Sequence, residues 1–138
     1  MLSFLERGRF LGLLALRLVL GIIMIAHGYP KVFGGGIHGH LQMVGSLGLP
    51  PWLGYLSACT EFFGGVLIIV GLLTRLVGIA FAIEMFVAIA KVHWHAGLTG
   101  QGGYQFPLAC GIIAFALIFL GAGPISLDWL FLRGRHKG

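Results

Sequence analysis

The stretch from Leu53 to Arg75, LGYLSACTEFFGGVLIIVGLLTR, sets the terms for the whole chain. It is about as long as the roughly 20 apolar residues a helix needs to cross a bilayer, yet it carries Glu61 well inside both ends. A bare carboxylate in hydrocarbon is costly, so Glu61 must face protein and find a partner there. Gly64, Gly65 and Gly71 follow it. Small residues of this kind let another helix come close enough to supply that partner.

Composition agrees with this reading. Only 9% of the residues are charged and 58% are hydrophobic, whereas a soluble domain carries about 25% charged residues. The chain is therefore expected to be an integral membrane protein with one domain over residues 1–138, since no long polar linker divides it. Its basic residues are not clustered beside stacking aromatics in a polar region, so nucleic acid is not an expected partner; the lipid bilayer is.

Apolar runs place transmembrane helices at about 10–28, 52–73, 76–92 and 107–121. The expected fold class is all-α, a membrane-spanning four-helix bundle. The first run is longer than the apolar core of a signal peptide and is interrupted by Arg17, so it reads as a retained helix. Arg17, Gly21, Met24 and Gly28 recur at helical spacing and form a small or polar stripe facing other helices. The segment Lys31–Pro51 is broken by Gly34, Gly35 and Gly36, with room for a short interfacial helix over His40–Leu47. The tight link at Thr74-Arg75 makes the second and third helices an antiparallel hairpin.

Arg7, Arg9, Arg75, Arg133, Arg135 and Lys137 fall on one side, and Lys31 and Lys91 near the other. The positive-inside rule then puts both termini in the cytoplasm and the two longer loops outside, together with every histidine but His136.

Counting about 1.5 Å per residue puts Arg17 and Glu84 near the bilayer middle, a plausible level pair. Glu61 lies one to two turns nearer the outside, where it could reach Arg17 below, or Lys91 or His27 above. Lys91 comes two turns after Glu84 on the same face. Arg17, Glu61 and Glu84 thus form a candidate buried charge network. One reading makes these pairs simple fasteners of the bundle, since buried ions must pair whatever their role. The other is a polar pocket near the outer leaflet lined by His27, Lys31, Glu61, Lys91 and Tyr104. A quinone headgroup suits such a pocket, because it needs a donor at each carbonyl and a group that exchanges protons. No GxGxxG, CxxCH or iron–sulfur spacing is present to pass electrons on, so a partner protein would have to supply them.

Two His-x-His pairs, His38/His40 and His93/His95, are weak metal candidates with His27, because residues two apart on a helix point to different faces. The expectation is no metal site. Cys59 and Cys110 sit in apolar stretches without CxxC spacing; buried thiols are the ordinary outcome, and a bridge between them stays open.

These residues also resemble a family. Arg17-Leu18 with Leu20-Gly21, then His27-Gly28 and Lys31, resembles the first helix of the DoxX family. GLPP at 48–51 is similar to that family's loop before its second helix. Glu61, Gly64, Gly65, Gly71, Thr74 and Arg75 match its E-x-x-G-G…G-x-x-T-R pattern. GGYQFP at 102–107 resembles its lead into the last helix, where an acidic residue often stands in place of Gln105. The resemblance implies a small four-helix protein of the prokaryotic cytoplasmic (inner) membrane. Relatives in that family include the membrane subunit of a thiosulfate:quinone oxidoreductase and proteins tied to oxidative-stress assemblies or to resistance against quinones and catechols. The expected function is an integral membrane subunit of a quinone-linked oxidoreductase or redox-homeostasis complex. The alternative is a non-catalytic membrane scaffold for a partner complex or homo-oligomer. Small-molecule transport is a third class, disfavoured by the short chain and the lack of an internal repeat.

Overall fold

The computed structural model describes residues 2–135. The elements, in chain order, are α1 (Ser3–Glu6), α2 (Arg9–Val32), α3 (Ile37–Ser46), α4 (Leu53–Val70), α5 (Thr74–Ala88), α6 (Gln105–Leu120) and α7 (Leu127–Arg135). No strand occurs among the described residues. Beyond α5 the helix continues as a π-helical turn, Ile89–His93, and a short 3₁₀ turn, Trp94–Ala96. Three helices are long and apolar enough to cross a membrane: Arg9–Val32, Leu53–Val70 and the continuous run Thr74–Ala96. The apolar α6 is shorter, at 16 residues. His136 and Lys137, counted above among the basic and histidine residues, lie outside the described residues.

α2 packs along α4 and α5 along α6; α4 against α5 and α2 against α6 join the two pairs. Leu20 and Met24 of α2, Ile68 of α4, Phe81 of α5 and Ala114 and Leu117 of α6 meet in one core. Lipid tails are as apolar as these side chains, so close packing rather than escape from water must hold the helices together. Glycine makes that packing possible. A Cβ added at Gly21 would lie 2.8 Å from the carbonyl oxygen of Gly65, and one at Gly65 would lie 2.8 Å from that of Gly21. The stripe read from the sequence is the buried face of α2: Arg17, Leu20, Gly21, Met24 and Gly28.

Two boundaries differ from expectation with consequences for the site. α2 runs about a turn past Gly28, through Pro30 to Val32. A proline in the last turn forfeits one backbone bond, and here its own carbonyl takes up the Gly34 and Gly36 amides. The extra turn puts Lys31 on the helix instead of in a loop. On α5, the wider π turn shifts the helical phase, so Lys91 does not stay above Glu84; its side chain is exposed. The interfacial helix expected over His40–Leu47 forms as α3, starting three residues earlier and ending one residue earlier.

Candidate functional site

The partner that Glu61 requires is Lys31. Its Nζ donates to both carboxylate oxygens, at 2.9 Å to Oε1 and 2.6 Å to Oε2. Glu61 is buried on α4 where α2 crosses it, and Gly28 permits the crossing: a Cβ there would sit 2.5 Å from the Phe62 nitrogen. A buried pair with bidentate contact offsets much of the cost of removing two charges from water.

A second carboxyl lies beside the first. Glu84, on α5, interacts electrostatically with both Glu61 and Lys31. Its Oε1 accepts the Ser57 hydroxyl at 2.5 Å, while its Oε2 is sealed off without a hydrogen-bond partner among the described residues. Ser57 stands four residues before Glu61, on the same face of α4. Its Oγ is also 3.3 Å from Nε2 of His40, a buried residue of α3. Burial, reinforced by the Lys31 charge and opposed by that of Glu61, holds the His40 imidazole below its ordinary value. The polar set is therefore Lys31, Glu61, Glu84, Ser57 and His40. Sequence reasoning missed Ser57 and gave His40 only a metal role. The available signals were the i, i+4 spacing of Ser57 with Glu61 and of His40 with the buried Val44.

Arg17 does not belong to this set, and the expected Arg17–Glu84 pair is not formed. Every Arg17 hydrogen bond goes to a backbone carbonyl: Nε to Ile68 at 3.0 Å, Nη2 to Ile69 at 2.6 Å, and Nη1 to Ala122 at 3.0 Å and Ile125 at 2.6 Å. Side chains on a helix lean toward its N-terminus. The guanidinium of α2 therefore reaches the opposite end from Glu61, where the last turn of α4 leaves carbonyls without intrahelical donors. Asp128 of α7, also unforeseen, accepts the Leu73 and Thr74 amides at 2.8 and 3.0 Å and caps the start of α5. Arg75 Nη1 donates to Ile118 and Phe119 at the end of α6, at 2.7 and 2.9 Å. Three helix ends are thus finished by side chains from elsewhere in the chain.

The remaining pocket candidates are not gathered around Glu61. His27 is exposed; its Nδ1 donates to the Ile23 carbonyl at 2.9 Å, and its ring stacks on Phe106 at 5.5 Å. Tyr104 stacks on Trp94 at 5.6 Å. Both rings line an open groove of about 480 Å³ between α5 and α6, completed by Phe86, Ile89, Ala90 and Leu108. Lys91 makes no hydrogen bond or ion pair among the described residues. His38, His40, His93 and His95 do not assemble: no group of three or more potential metal ligands exists among the described residues. His93 is instead bonded to the Gly102 carbonyl at 2.6 Å. Cys59 is exposed, Cys110 is buried, and both are free thiols.

The chain is 37% identical over 128 residues to a Bacillus subtilis protein named "Putative oxidoreductase CatD", covering 93% of this chain and 92% of that one. It is 31% identical over 139 residues to an uncharacterized protein of Haemophilus influenzae, covering 94% and 97%. No solved structure matches. The DoxX family model matches residues 12–94, which span the α2–α4 crossing, the Lys31–Glu61 pair and Glu84. The chain belongs to the DoxX family of membrane proteins.

Proposed function

We propose that this protein is the quinone-interacting membrane subunit of an oxidoreductase or redox-homeostasis complex in a prokaryotic cytoplasmic membrane. In this reading α2, α4, α5 and α6 span the bilayer as a four-helix bundle with both termini inside. The Lys/Arg excess at the α1, Thr74 and α7 end supports that orientation. The observation that carries the reading is an ion pair, Lys31–Glu61, with a second carboxyl beside it, among apolar helices. Ionisable groups at such depth mark functional sites by default. At the same end of the bundle, the α5/α6 groove offers aromatic walls to a planar ring.

The residues fit a quinone. The Tyr104 hydroxyl is available as a donor to a carbonyl. His27 stands apart from this groove: it stacks on Phe106, which is not among the groove residues, and its Nδ1 donates to Ile23. Phe86, Trp94 and Leu108 keep water from the ring, and the exposed Lys91 supplies positive charge at the same end. A quinone, when bound, supplies the two-electron, two-proton chemistry; a partner protein supplies the electrons. The name of the Bacillus subtilis relative accords with this reading. The test is titration of the purified protein in lipid nanodiscs with a short-chain ubiquinone analogue, followed by tryptophan quenching. Saturable binding lost on combining Glu61→Gln with Tyr104→Ala supports the reading. Unchanged affinity in that double variant refutes it.

A specific observation favours the scaffold alternative: Arg17, Arg75 and Asp128 are all engaged in finishing helix ends. If every charge is structural, the chain needs no ligand. A stoichiometric partner that co-purifies from native membrane, with no lipid-soluble ligand, selects that reading.

A further inference from the structure

We propose that His40, Ser57 and Glu84 form a proton relay that loads the buried Glu84 carboxyl from the outer surface. This rests on the reading above only for which side is outer; it deepens it by naming how protons reach the interior.

The donor directions define the relay. Ser57 has one hydroxyl proton, and the geometry assigns it to Glu84 Oε1. The Ser57 oxygen must therefore act as acceptor toward His40, so Nε2 of His40 carries the hydrogen. Each group donates inward to the next, and Glu84 ends the chain. The Nδ1 lone pair of the neutral His40 ring is left to receive a proton. The local environment keeps that ring below its ordinary value, so it rests neutral and gives up readily any proton that it takes on.

One transfer balances without any other reactant. A proton arrives at His40 Nδ1; the Nε2 proton passes to the Ser57 oxygen; the Ser57 proton passes to Glu84 Oε1. The imidazole ends neutral with its hydrogen on Nδ1, the hydroxyl is restored, and Glu84 is a neutral acid.

Charge counting supports Glu84 as the terminus. Around it stand Glu61 and Ser57 from α4, Lys31 from α2 and His40 from α3; α6 contributes no Asp, Glu, Lys, Arg or His. One cation faces two carboxyls, and both oxygens of Glu61 already hold it. A proton on Glu84 removes the excess negative charge, in a setting where an unpaired charge is costly.

The experiment is infrared difference spectroscopy of the whole protein in nanodiscs, following the C=O stretch of a protonated carboxyl with pH and after transfer to D₂O. A band lost in Glu84→Gln supports the relay. So does deuteration of that band slowed about tenfold or more by Ser57→Ala and restored by Ser57→Thr. A band that persists in Glu84→Gln overturns it, as does wild-type exchange in both Ser57→Ala and His40→Gln. Quinone titration of the same samples separates the two claims: no binding alongside slowed, Thr-rescued exchange refutes the proposed function and supports the relay.

Discussion

Replacing Arg17 with alanine should be among the most destabilising single changes in this protein. The guanidinium makes four hydrogen bonds to carbonyls of two separate segments, Ile68–Ile69 and Ala122–Ile125. Bonds to a charged donor are worth about 1.5–3 kcal/mol each, which bounds the loss at roughly 6–12 kcal/mol. The acceptors are at helix ends, where water or a shifted turn can replace part of the bonding, so about 3–5 kcal/mol is expected. Arg17→Lys should recover less than half of that, because one ammonium cannot fork between two segments as a guanidinium does. The assay is reversible unfolding in mixed micelles, titrated with denaturing detergent. An Arg17→Ala loss below about 0.5 kcal/mol would refute the capping argument. A double-mutant cycle with Glu84→Gln sharpens the test. The two residues share no contact, so their effects should add within about 0.5 kcal/mol; coupling above about 1 kcal/mol would restore the ion pair that the geometry excludes.

Other outcomes follow from the same geometry. Asp128→Ala should cost about 1–2 kcal/mol by uncapping α5, and Asp128→Asn distinctly less, measured in the same unfolding assay. Gly65→Ala should destabilise by about 1–3 kcal/mol, while Gly12→Ala, with nothing within 4 Å of the added carbon, should be neutral or stabilising. Breaking the Lys31–Glu61 pair by Glu61→Gln alone should cost about 1–3 kcal/mol, because Lys31 is only half-buried and keeps Glu84 nearby, whereas Lys31→Met with Glu61→Met should cost less than the two singles together. His40 binds its proton less readily when folded than when unfolded. Stability should therefore be full above about pH 6.5, the ordinary histidine value, and fall as the solution is acidified below it. His40→Gln should flatten that limb of the thermal-midpoint profile.

The sequence made the broad organisation legible because hydrocarbon allows so few alternatives. A carboxylate at Glu61 demanded a partner, and glycines beside it demanded a close neighbour; both conditions hold at the α2–α4 crossing. The identity of that partner was harder to see. The apolar run ends the first helix at about residue 28, yet α2 continues through Pro30 and delivers Lys31. The π turn at Ile89–His93 leaves no trace in composition, and it removes Lys91 from the line above Glu84. Arg17 exposes a deeper limit. Pairing side chain with side chain overlooks backbone carbonyls, which carry no letter in a sequence but are the strongest acceptors at a helix end. Ser57 was harder to place for a related reason: its i, i+4 spacing puts it on the face of Glu61, but a hydroxyl in an apolar run does not say what it will touch.

The clasp formed by Arg17 and Asp128 has a bearing on biogenesis. Gly71 and Leu73, at the turn between α4 and α5, are held by the amide and carboxylate of Asp128, and Arg17 waits on Ala122 and Ile125. Residues made early in translation thus carry groups whose partners are made near the finish. The helices from α2 to α6 are made first, but the assembly cannot lock until the 122–128 segment has left the ribosome. Helix formation and final closure are therefore separate events, with an unlocked interval between them.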